Sequence, residues 1–380
     1  MTGSIPFNRP FMVGRELEYV AQAHANGQLA GDGPYSKRCQ AWLETNTGCR
    51  KALLTHSCTA ALEMAAILAD IQPGDEVIMP SYTFVSTANA FVLRGATPVF
   101  VDIRGDTLNI DERRIEAAIS PKTKAIVPVH YAGVGCAMNE IMDIAGRHGL
   151  VVIEDSAQAL MSRFDSRPLG SFGHLAALSF HETKNVIAGE GGALLVNDPA
   201  MLERAEIIRE KGTNRSQFFR GQVDKYTWVD VGSSYLPGEI IAAFLWAQLE
   251  QAEQITACRR TIWDRYHAAF AGLEREGKVR RPNSCCGSYH NAHMYYLLLH
   301  DLEQRTSYIA HMQSAGIQCV FHYVPLHSSP KGRQVSRTCG VLRTTDDTAD
   351  RLVRLPLWPG LEPELDRVID ATLGFFERTN

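Results

Sequence analysis

Short apolar segments alternate with helical segments over residues 51 to 198 of this 380-residue chain. The apolar segments predicted as strands are Ala52–Leu54, Glu76–Met79, Pro98–Asp102, Ala125–His130, Leu150–Asp155, Leu175–Phe180 and Ala193–Val196. Unbroken apolar strands separated by helices are typical of a mostly parallel sheet that helices cover on both faces. The sequence therefore predicts an α/β fold with a mostly parallel, seven-stranded sheet in a large domain.

The C-terminal third of the chain has a different pattern. A helix-rich segment begins at Glu239 and continues to about residue 277, and a strand at Met294–Leu299 and a helix at Arg305–Ser314 follow it. This pattern predicts a smaller α+β domain. We expect a large domain over residues 1–250, including an extended arm with two prolines at Ile5–Pro10, and a small C-terminal domain over residues 251–380.

Composition and charge argue against several classes of protein. Hydrophobic residues make up 45% of the sequence and charged residues 21%, as in ordinary soluble globular proteins. The formal net charge of −4 argues against a general binder of nucleic acid or of membrane surfaces, so an anionic substrate needs a local basic patch. The first ten residues lack a basic region followed by an apolar core, and no apolar run reaches the roughly 20 residues of a membrane span. We expect a soluble protein.

The cysteine spacing predicts neither a metal site nor a disulfide framework. The nine cysteines lie at positions 39, 49, 58, 136, 258, 285, 286, 319 and 339, and none of them form a Cys-x-x-Cys pair. Reduced thiols are typical of the cytoplasm, which is the expected location.

One lysine follows the end of a predicted strand. The apolar segment Leu175–Phe180 leads into His181-Glu182-Thr183-Lys184-Asn185, and the glycine-rich segment Gly189–Gly192 comes shortly after it. In α/β sheets, functional groups are presented where strands end. A buried lysine can be neutral and can attack a carbonyl group, because burial and nearby cations lower its pKa from about 10.4. A solvated loop lysine is the alternative.

An acid ends another predicted strand. The segment Val151-Val152-Ile153-Glu154-Asp155 is followed by Ser156-Ala157-Gln158. A carboxylate at this position can pair with the protonated ring nitrogen of pyridoxal phosphate and keep that ring an electron sink. It can equally hold a ribose hydroxyl or a metal ion, so this feature alone does not identify the ligand.

A short polar turn joins the first predicted strand to a helix. Residues Thr55-His56-Ser57-Cys58-Thr59 offer hydroxyl groups and backbone N–H groups at a helix N-terminus, which suit a phosphate group. An ordinary helix-capping turn is the alternative. A nicotinamide-dependent oxidoreductase needs a Gly-x-Gly-x-x-Gly turn here, and the sequence does not have one.

The phosphate turn, the strand-end acid and the strand-end lysine, in this order, resemble the fold type I pyridoxal-phosphate enzymes. The runs Ser179-Phe180-His181-x-x-Lys184-Asn185 and Glu154-Asp155-x-Ala157-Gln158 are similar to the signatures of the DegT/DnrJ/EryC1/StrS sugar aminotransferase family, and the resemblance covers nearly all of the chain. It implies an aspartate aminotransferase-like fold, pyridoxal 5'-phosphate as cofactor, and a homodimer with active sites at the subunit interface.

The resemblance also implies roles for individual residues. Lys184 matches the lysine that binds the cofactor covalently and then carries a proton during transfer, and Asp155 matches the acid that keeps the ring nitrogen protonated. Gln158 matches the partner of the phenolic oxygen, and Phe84 matches the aromatic residue that stacks on the ring. The expected cofactor contacts are Cys58, Thr59, Phe84, Asp155, Gln158, Ser179, Lys184 and Ser234. Ser234 stands where the family commonly has a longer asparagine that reaches the neighbouring subunit's phosphate.

Cations and aromatic residues occur together in residues 209–228. This segment contains Arg215, Arg220 and Lys225 together with Phe218, Phe219, Tyr226 and Trp228. We predict that it binds a nucleotide diphosphate and its base, across a subunit interface, and a solvated loop is the alternative. His327 ends a run that is similar to a family segment facing the active site, so we predict a substrate contact there, with a structural histidine as the alternative.

The reaction that the resemblance implies is the transfer of an amino group from L-glutamate to a nucleotide-linked ketosugar. A regulator that keeps the fold without catalysis is the rival class, and the intact set Lys184, Asp155 and Gln158 argues against it.

Overall fold

A computed structural model describes residues 3–283 and 288–378, so Cys285 and Cys286 lie outside the described residues. The strands are β1 (Lys51–Thr55), β2 (Glu76–Pro80), β3 (Thr97–Val101), β4 (Thr123–Ile126), β5 (Val151–Asp155), β6 (Arg163–Phe164), β7 (Arg167–Pro168), β8 (Leu175–Ser179), β9 (Gly192–Val196), β10 (Ser288–Tyr289), β11 (Tyr295–Leu298), β12 (Arg337–Thr338) and β13 (Leu352–Leu355). The α-helices are α1 (Glu16–Ala25), α2 (Pro34–Thr47), α3 (Cys58–Leu68), α4 (Val85–Val92), α5 (Ile115–Ala118), α6 (Met138–His148), α7 (Leu202–Arg209), α8 (Arg215–Phe219), α9 (Glu239–Glu250), α10 (Ala252–Ala269), α11 (Ala271–Arg275), α12 (Leu302–Ser314), α13 (Gly332–Val335), α14 (Arg343–Arg351) and α15 (Leu365–Arg378).

The main sheet has the strand order β1-β9-β8-β5-β4-β2-β3-β12 within the described residues. β9 runs antiparallel to both of its neighbours, and the other neighbouring pairs are parallel. The predicted α/β fold with a mostly parallel sheet is confirmed, and each of the seven predicted strands is present. The eighth strand, β12, comes from the C-terminal part of the chain and has only two residues, which is too short for an apolar pattern to indicate.

Alternate side chains of the strands pack into different helix layers. Leu53 packs in the cluster that contains α3, whereas its neighbours Ala52 and Leu54 pack with α1, α2 and α9. In β2, Val77 packs in the α3 cluster, and Ile78 packs on the opposite face with α6. Since successive side chains of a strand point to opposite faces of the sheet, burial of both faces requires the unbroken apolar strands that the sequence has.

A separate core forms in the C-terminal part of the chain from α10, α12, α15, β11 and β13. The N-terminal arm, which we expected to belong to the large domain, packs here instead. Ile5 is buried in this core and pairs with Ile317, and the backbone N–H of Phe7 donates to Gln318 Oε1 at 3.2 Å. The arm therefore ties the start of the chain to its C-terminal core.

In the part of the chain that the structure describes, no helix combines the length and the apolar character needed to cross a lipid bilayer.

Candidate active site

A cavity of about 820 Å³ lies where strands of the main sheet end. Its walls come from the loops after β1, β2, β5 and β8, from β13, and from residues 320–323 of the C-terminal part. The predicted cofactor residues that line it are Cys58, Thr59, Phe84, Asp155, Gln158, Ser179 and Lys184. Parallel strands place their carboxyl ends at one edge of the sheet, and this brings residues far apart in sequence into one cavity.

Lys184 lies in the turn after β8, and its backbone N–H donates to His181 O at 2.9 Å. The side chain is partly accessible through the cavity, but its amine lies among protein atoms. This burial lowers the pKa of Lys184, and the positive charge of Arg354 lowers it further, while Cys58 and Asp155 oppose the change. Since the charged amine is disfavoured, Lys184 is prepared to act as a neutral nucleophile or base.

Asp155 is the last residue of β5 and is held by two hydrogen bonds. Thr87 Oγ1 donates to Asp155 Oδ2 at 2.7 Å, and the N–H of Ala157 donates to Oδ1 at 3.1 Å. Thr83 Oγ1 lies 2.8 Å from Thr87 Oγ1 and continues the chain of hydroxyl groups. The carboxylate is therefore fixed in one orientation, with capacity left for a further donor in the cavity.

Gln158 connects two elements of the cavity wall. Its Oε1 accepts from the backbone N–H of Ala132 at 2.7 Å, and its Nε2 donates to the Tyr323 hydroxyl at 2.9 Å. An amide nitrogen has two N–H groups, so one donor remains for a ligand. Burial raises the pKa of Tyr323, whose phenol stays protonated.

The N-terminus of α3 forms one end of the cavity. Ser57 caps the helix by accepting from the N–H of Ala60 at 3.1 Å, and the Thr59 hydroxyl lies 2.7 Å from Ser86 Oγ. The first N–H groups of a helix have no partner within the helix, and the helix dipole favours an anion there. Gly192 permits this arrangement, because a Cβ at that position would lie 2.5 Å from the Cys58 nitrogen.

Glu154, next to Asp155, has a structural role that the sequence did not reveal. Its carboxylate is fully buried and accepts from the N–H groups of Gly170, Phe172 and Gly173 at 2.6 to 2.9 Å. His130 Nε2 lies 2.8 Å from its Oε2. Successive side chains of β5 point to opposite faces, so Glu154 fixes a loop behind the sheet while Asp155 lines the cavity.

A second buried network holds the loop that carries Lys184. Asn185 Nδ2 donates to Asn291 O at 2.8 Å, and its Oδ1 lies 3.1 Å from His293 Nδ1. His293 lines the cavity, and burial together with the charges of Lys184, Arg259 and Arg354 lowers its pKa well below the ordinary value. A neutral imidazole whose Nδ1–H donates to Asn185 leaves Nε2 as an acceptor.

Two arginines from the C-terminal part, Arg259 and Arg354, also line the cavity. Sequence patterns did not identify either of them. One signal was available, since Arg354 is a single cation in the otherwise apolar strand Leu352–Leu355, and a charge within a buried strand indicates a special environment.

His327, the predicted substrate contact, lies outside the cavity. Its Nδ1 is 2.8 Å from Ser81 Oγ, and its Nε2 is 3.3 Å from Asp346 Oδ1, so both ring nitrogens have protein partners. His322, five residues earlier in the chain, does line the cavity, and its Nδ1 lies 2.8 Å from the Tyr131 hydroxyl. His327 lies within a 3₁₀ turn at Leu326–Ser328.

The predicted nucleotide-binding cations also lie outside this cavity. Arg215 lies over the ring of Phe219 at 5.1 Å, Arg220 Nη1 pairs with Glu206 Oε2 at 2.8 Å, and Lys225 is exposed. Ser234 is exposed, too, in a bridge with Glu210. Their roles at a subunit interface stay predictions.

The groups that line the cavity fit pyridoxal phosphate. An anion fits at the N-terminus of α3 with the hydroxyls of Thr59, Ser86 and Ser179, and a protonated ring nitrogen fits opposite Asp155. Cys58, Asp155 and Lys184 line this one cavity, so the three predicted elements come together there. The exposed ring of Phe84 offers a surface for stacking. Among the described residues, no group of three or more His, Cys, Asp or Glu side chains is arranged to hold a metal ion.

Comparison with known proteins identifies the family. The family model of the DegT/DnrJ/EryC1/StrS aminotransferases matches residues 11–373. A DegT DnrJ EryC1 StrS aminotransferase from Brucella abortus is 30% identical, with a TM-score of 0.87 and coverage of 95% of both chains. The PLP form of Spr1654 from Streptococcus pneumoniae is 27% identical, with a TM-score of 0.90 and coverage of 99% of this chain and 100% of that one. Helicobacter pylori PseC, an aminotransferase involved in the biosynthesis of pseudoaminic acid, is 25% identical, with a TM-score of 0.89 and coverage of 99% and 100%. The chain therefore belongs to the DegT/DnrJ/EryC1/StrS aminotransferase family and is a sugar aminotransferase that uses pyridoxal phosphate.

Proposed function

We propose that this aminotransferase converts dTDP-4-keto-6-deoxy-D-glucose and L-glutamate to dTDP-4-amino-4,6-dideoxy-D-galactose and 2-oxoglutarate. The product would serve the synthesis of a surface polysaccharide of the enterobacterial common antigen type. Support for the sugar comes from the sequence, because residues 79–90 and 211–221 resemble dTDP-4-amino-4,6-dideoxygalactose transaminase more than the family at large. Amino transfer to another nucleotide-linked ketosugar, or formation of the other C4 epimer, is the alternative.

The observation that carries the reaction type is the position of Lys184. Its amine lies in the same cavity as Asp155 and the N-terminus of α3, and burial lowers its pKa. When bound, pyridoxal phosphate supplies an electron sink that stabilises negative charge on the carbon that loses its proton. Lys184 Nζ is the base that removes a proton from the carbon of the donor that carries the amine. In the second half-reaction it gives a proton to the carbon of the sugar that receives the amine.

The other side chains hold and orient the reacting groups. Asp155, fixed by Thr87, would keep the ring nitrogen of the cofactor protonated, and the remaining Gln158 donor would bind the phenolic oxygen. Phe84 would cover one face of the ring. Neutral His293 offers Nε2 as an acceptor for a sugar hydroxyl, without adding charge to the cavity.

We further propose a homodimer in which residues 215–228 of one subunit complete the nucleotide site of the other. Phe219 and Trp228 are 71% and 78% exposed in the single chain, which is unusual for large aromatic side chains. Arg215 already lies over Phe219, so the segment combines cations with aromatic surfaces suited to a nucleotide diphosphate and its base.

Lys184→Ala tests the role of the lysine. We expect turnover to fall by at least about a hundredfold, as for loss of a general acid–base group, and the visible absorbance of the covalently bound cofactor to disappear. Lys37→Ala, at an exposed position of α2, is the matched control and should keep both properties. Unchanged turnover in Lys184→Ala would remove Lys184 from the reaction.

The sugar is tested separately. Purified protein is given L-glutamate and a panel of nucleotide-linked ketosugars, and the configuration of each product at C4 is determined by NMR. The proposal predicts the highest kcat/KM with dTDP-4-keto-6-deoxy-D-glucose and an axial amine at C4 of the product. A higher kcat/KM with another sugar nucleotide, or an equatorial amine, would favour the alternative.

A further inference from the structure

Arg354 is a cation in the cavity wall that has no acidic partner among the described residues. It lies in β13, and both of its strand neighbours, Val353 and Leu355, are buried. In residues 3–283 and 288–378, no Asp or Glu forms a salt bridge with it. A guanidinium group that is partly removed from water is unfavourable unless it is paired, so an unpaired one in a binding cavity indicates an anionic ligand.

The protein contacts of Arg354 leave much of its guanidinium group unused. Nε and Nη2 both donate to a single carbonyl oxygen, that of Phe321, at 3.3 and 3.1 Å. The guanidinium carbon lies 4.7 Å from the centre of the Phe7 ring. Nη1 has no protein acceptor among these contacts. The donors that remain can bind a carboxylate.

Arg259, the other arginine of the cavity, uses its N–H donors within the protein. Its Nε donates to Ala292 O at 3.0 Å, and its Nη2 donates to His293 O at 2.6 Å. Two backbone carbonyls therefore use its donors, and its role is to position the loop that carries His293. Burial lowers the pKa of Arg259 to about 9. Of the two arginines, Arg354 is the one available to a substrate.

We propose that Arg354 binds the α-carboxylate of the amino-acid donor. This inference rests on the proposed function, because it assigns the residue that recognises the amino-acid donor in the same active site. In an amino acid, the α-carboxylate is attached to the carbon that carries the transferred amine, so its cation must lie near the Lys184 amine. Arg354 meets this condition, because Arg354 and Lys184 line the same cavity, and the charge of Arg354 contributes to lowering the pKa of Lys184.

The nucleotide diphosphate is the other anion that Arg354 could bind. Its oxygens are separated from the reacting C4 carbon by the sugar ring, whereas the α-carboxylate is one bond from the reacting carbon. Arg354 lines the same cavity as Lys184, whose amine acts at the reacting carbon, so Arg354 fits the nearer group.

The test compares the wild-type holoenzyme with the Arg354→Gln holoenzyme in the donor half-reaction alone. The change in cofactor absorbance monitors the reaction. Three donors are used: L-glutamate, L-isoglutamine, whose α-carboxylate is an amide, and L-glutamine, whose side-chain carboxylate is an amide. We expect Arg354→Gln to lower kcat/KM for L-glutamate by about tenfold to a hundredfold, mainly through KM. The preference for L-glutamate over L-isoglutamine should shrink by a similar factor, and the preference over L-glutamine should stay unchanged.

Three further measurements exclude a general structural effect. Arg343→Gln removes an exposed cation from α14 and should leave all three donors unaffected. Arg354→Lys should recover part of the preference for an α-carboxylate, because it restores the charge without the planar fork. In isothermal titration of the holoenzyme, 2-oxoglutarate should bind Arg354→Gln about tenfold or more weakly than the wild type.

An unchanged preference for L-glutamate over L-isoglutamine in Arg354→Gln would overturn the proposal. So would a loss confined to the sugar half-reaction, which would assign Arg354 to the diphosphate. Because the donor half-reaction involves no sugar, a wrong sugar under the proposed function leaves this test valid.

Discussion

Burial in the cavity changes the protonation equilibrium of single side chains relative to water. The amine of Lys184 lies among protein atoms, and its pKa is lowered by burial and by Arg354. A charged amine in that position destabilises the folded protein, so the property that makes the lysine reactive also lowers stability.

Because the buried amine lowers stability, replacing Lys184 with methionine is expected to stabilise the cofactor-free protein. In cofactor-free wild-type protein at pH values below the folded-state pKa of Lys184, the folded state carries a buried charge. That penalty is relieved as the pH rises through the lowered pKa toward 10.5. Lys184→Met should therefore unfold at a higher temperature than the wild type at neutral pH, and the difference should shrink toward pH 10.5. Each pKa unit corresponds to about 1.4 kcal/mol.

Thermal unfolding of the cofactor-free proteins, followed by circular dichroism over a pH series, measures this difference. Lys37→Met, at an exposed position, serves as the control and should show no pH-dependent gain. Equal unfolding temperatures for the wild type and Lys184→Met at every pH would contradict the prediction.

We predict that Asn185 contributes both to the stability of the protein and to the protonation state of His293. Asn185→Ala leaves Asn291 O and His293 Nδ1 without partners and should lower the free energy of unfolding by about 1–3 kcal/mol. Asn185→Asp places a carboxylate beside His293 and should raise the pKa of that imidazole. Urea denaturation measures the first effect, and NMR titration of the histidines measures the second. A His293 pKa that is the same in Asn185→Asp and in the wild type would count against the assigned contact.

The sequence predicted some residues of the site and missed others, for a physical reason. Asp155 and Lys184 follow buried strands of one sheet, and the rule that such strands end at a common edge brings them together. Arg354, His293 and Tyr323 come from the C-terminal part, and their positions depend on how that core packs against the sheet. No local pattern records that packing.

At the scale of elements, the approach of β9 to the N-terminus of α3 determines the anion site. The residue at position 192 has no side chain, and this allows the strand to pass the helix backbone closely. Apolar runs of four to six residues predicted the main strands, but β6, β7, β10 and β12 have two residues each and show no period that a sequence can reveal.

Gly192→Ala is expected to weaken binding of pyridoxal phosphate by about tenfold or more. The added Cβ would lie 2.5 Å from the Cys58 nitrogen and must displace the N-terminus of α3, and overpacking of this kind costs about 1–3 kcal/mol. Gly191→Ala is the matched control, because the nearest atoms to its Cβ lie at 3.4 Å. Fluorescence titration of the cofactor-free proteins measures both dissociation constants. Equal affinities for the two variants would contradict this account of the anion site.

At the scale of the whole molecule, the exposed segment around α8 determines the expected assembly. Trp228 and Phe219 are exposed, as are Tyr226, Val229 and Val231 of the same segment. The indole N–H of Trp228 already donates to Asp230 O at 2.6 Å, so its ring is held in place and presented outward. Preformed aromatic surfaces of this kind are typical of the centres of protein interfaces.

We predict that the wild-type protein is a dimer and that Trp228→Glu raises the dimer dissociation constant by about thirtyfold or more, as expected for an interface tryptophan. Sedimentation velocity over a range of concentrations measures the change. Val341→Glu alters another exposed apolar residue and should leave the dimer intact. A monomeric wild-type protein, or a Trp228→Glu protein that dimerises as well as Val341→Glu, would refute this interface.

The arm at the start of the chain has a consequence for biosynthesis. Ile5 pairs with Ile317, and the indole nitrogen of Trp358 donates to Pro6 O at 3.2 Å. These partners leave the ribosome only after more than three hundred further residues have been made. Ile5 must therefore stay unburied on the nascent chain until those residues have been made, and the part of the cavity wall that Phe7 contributes is assembled late.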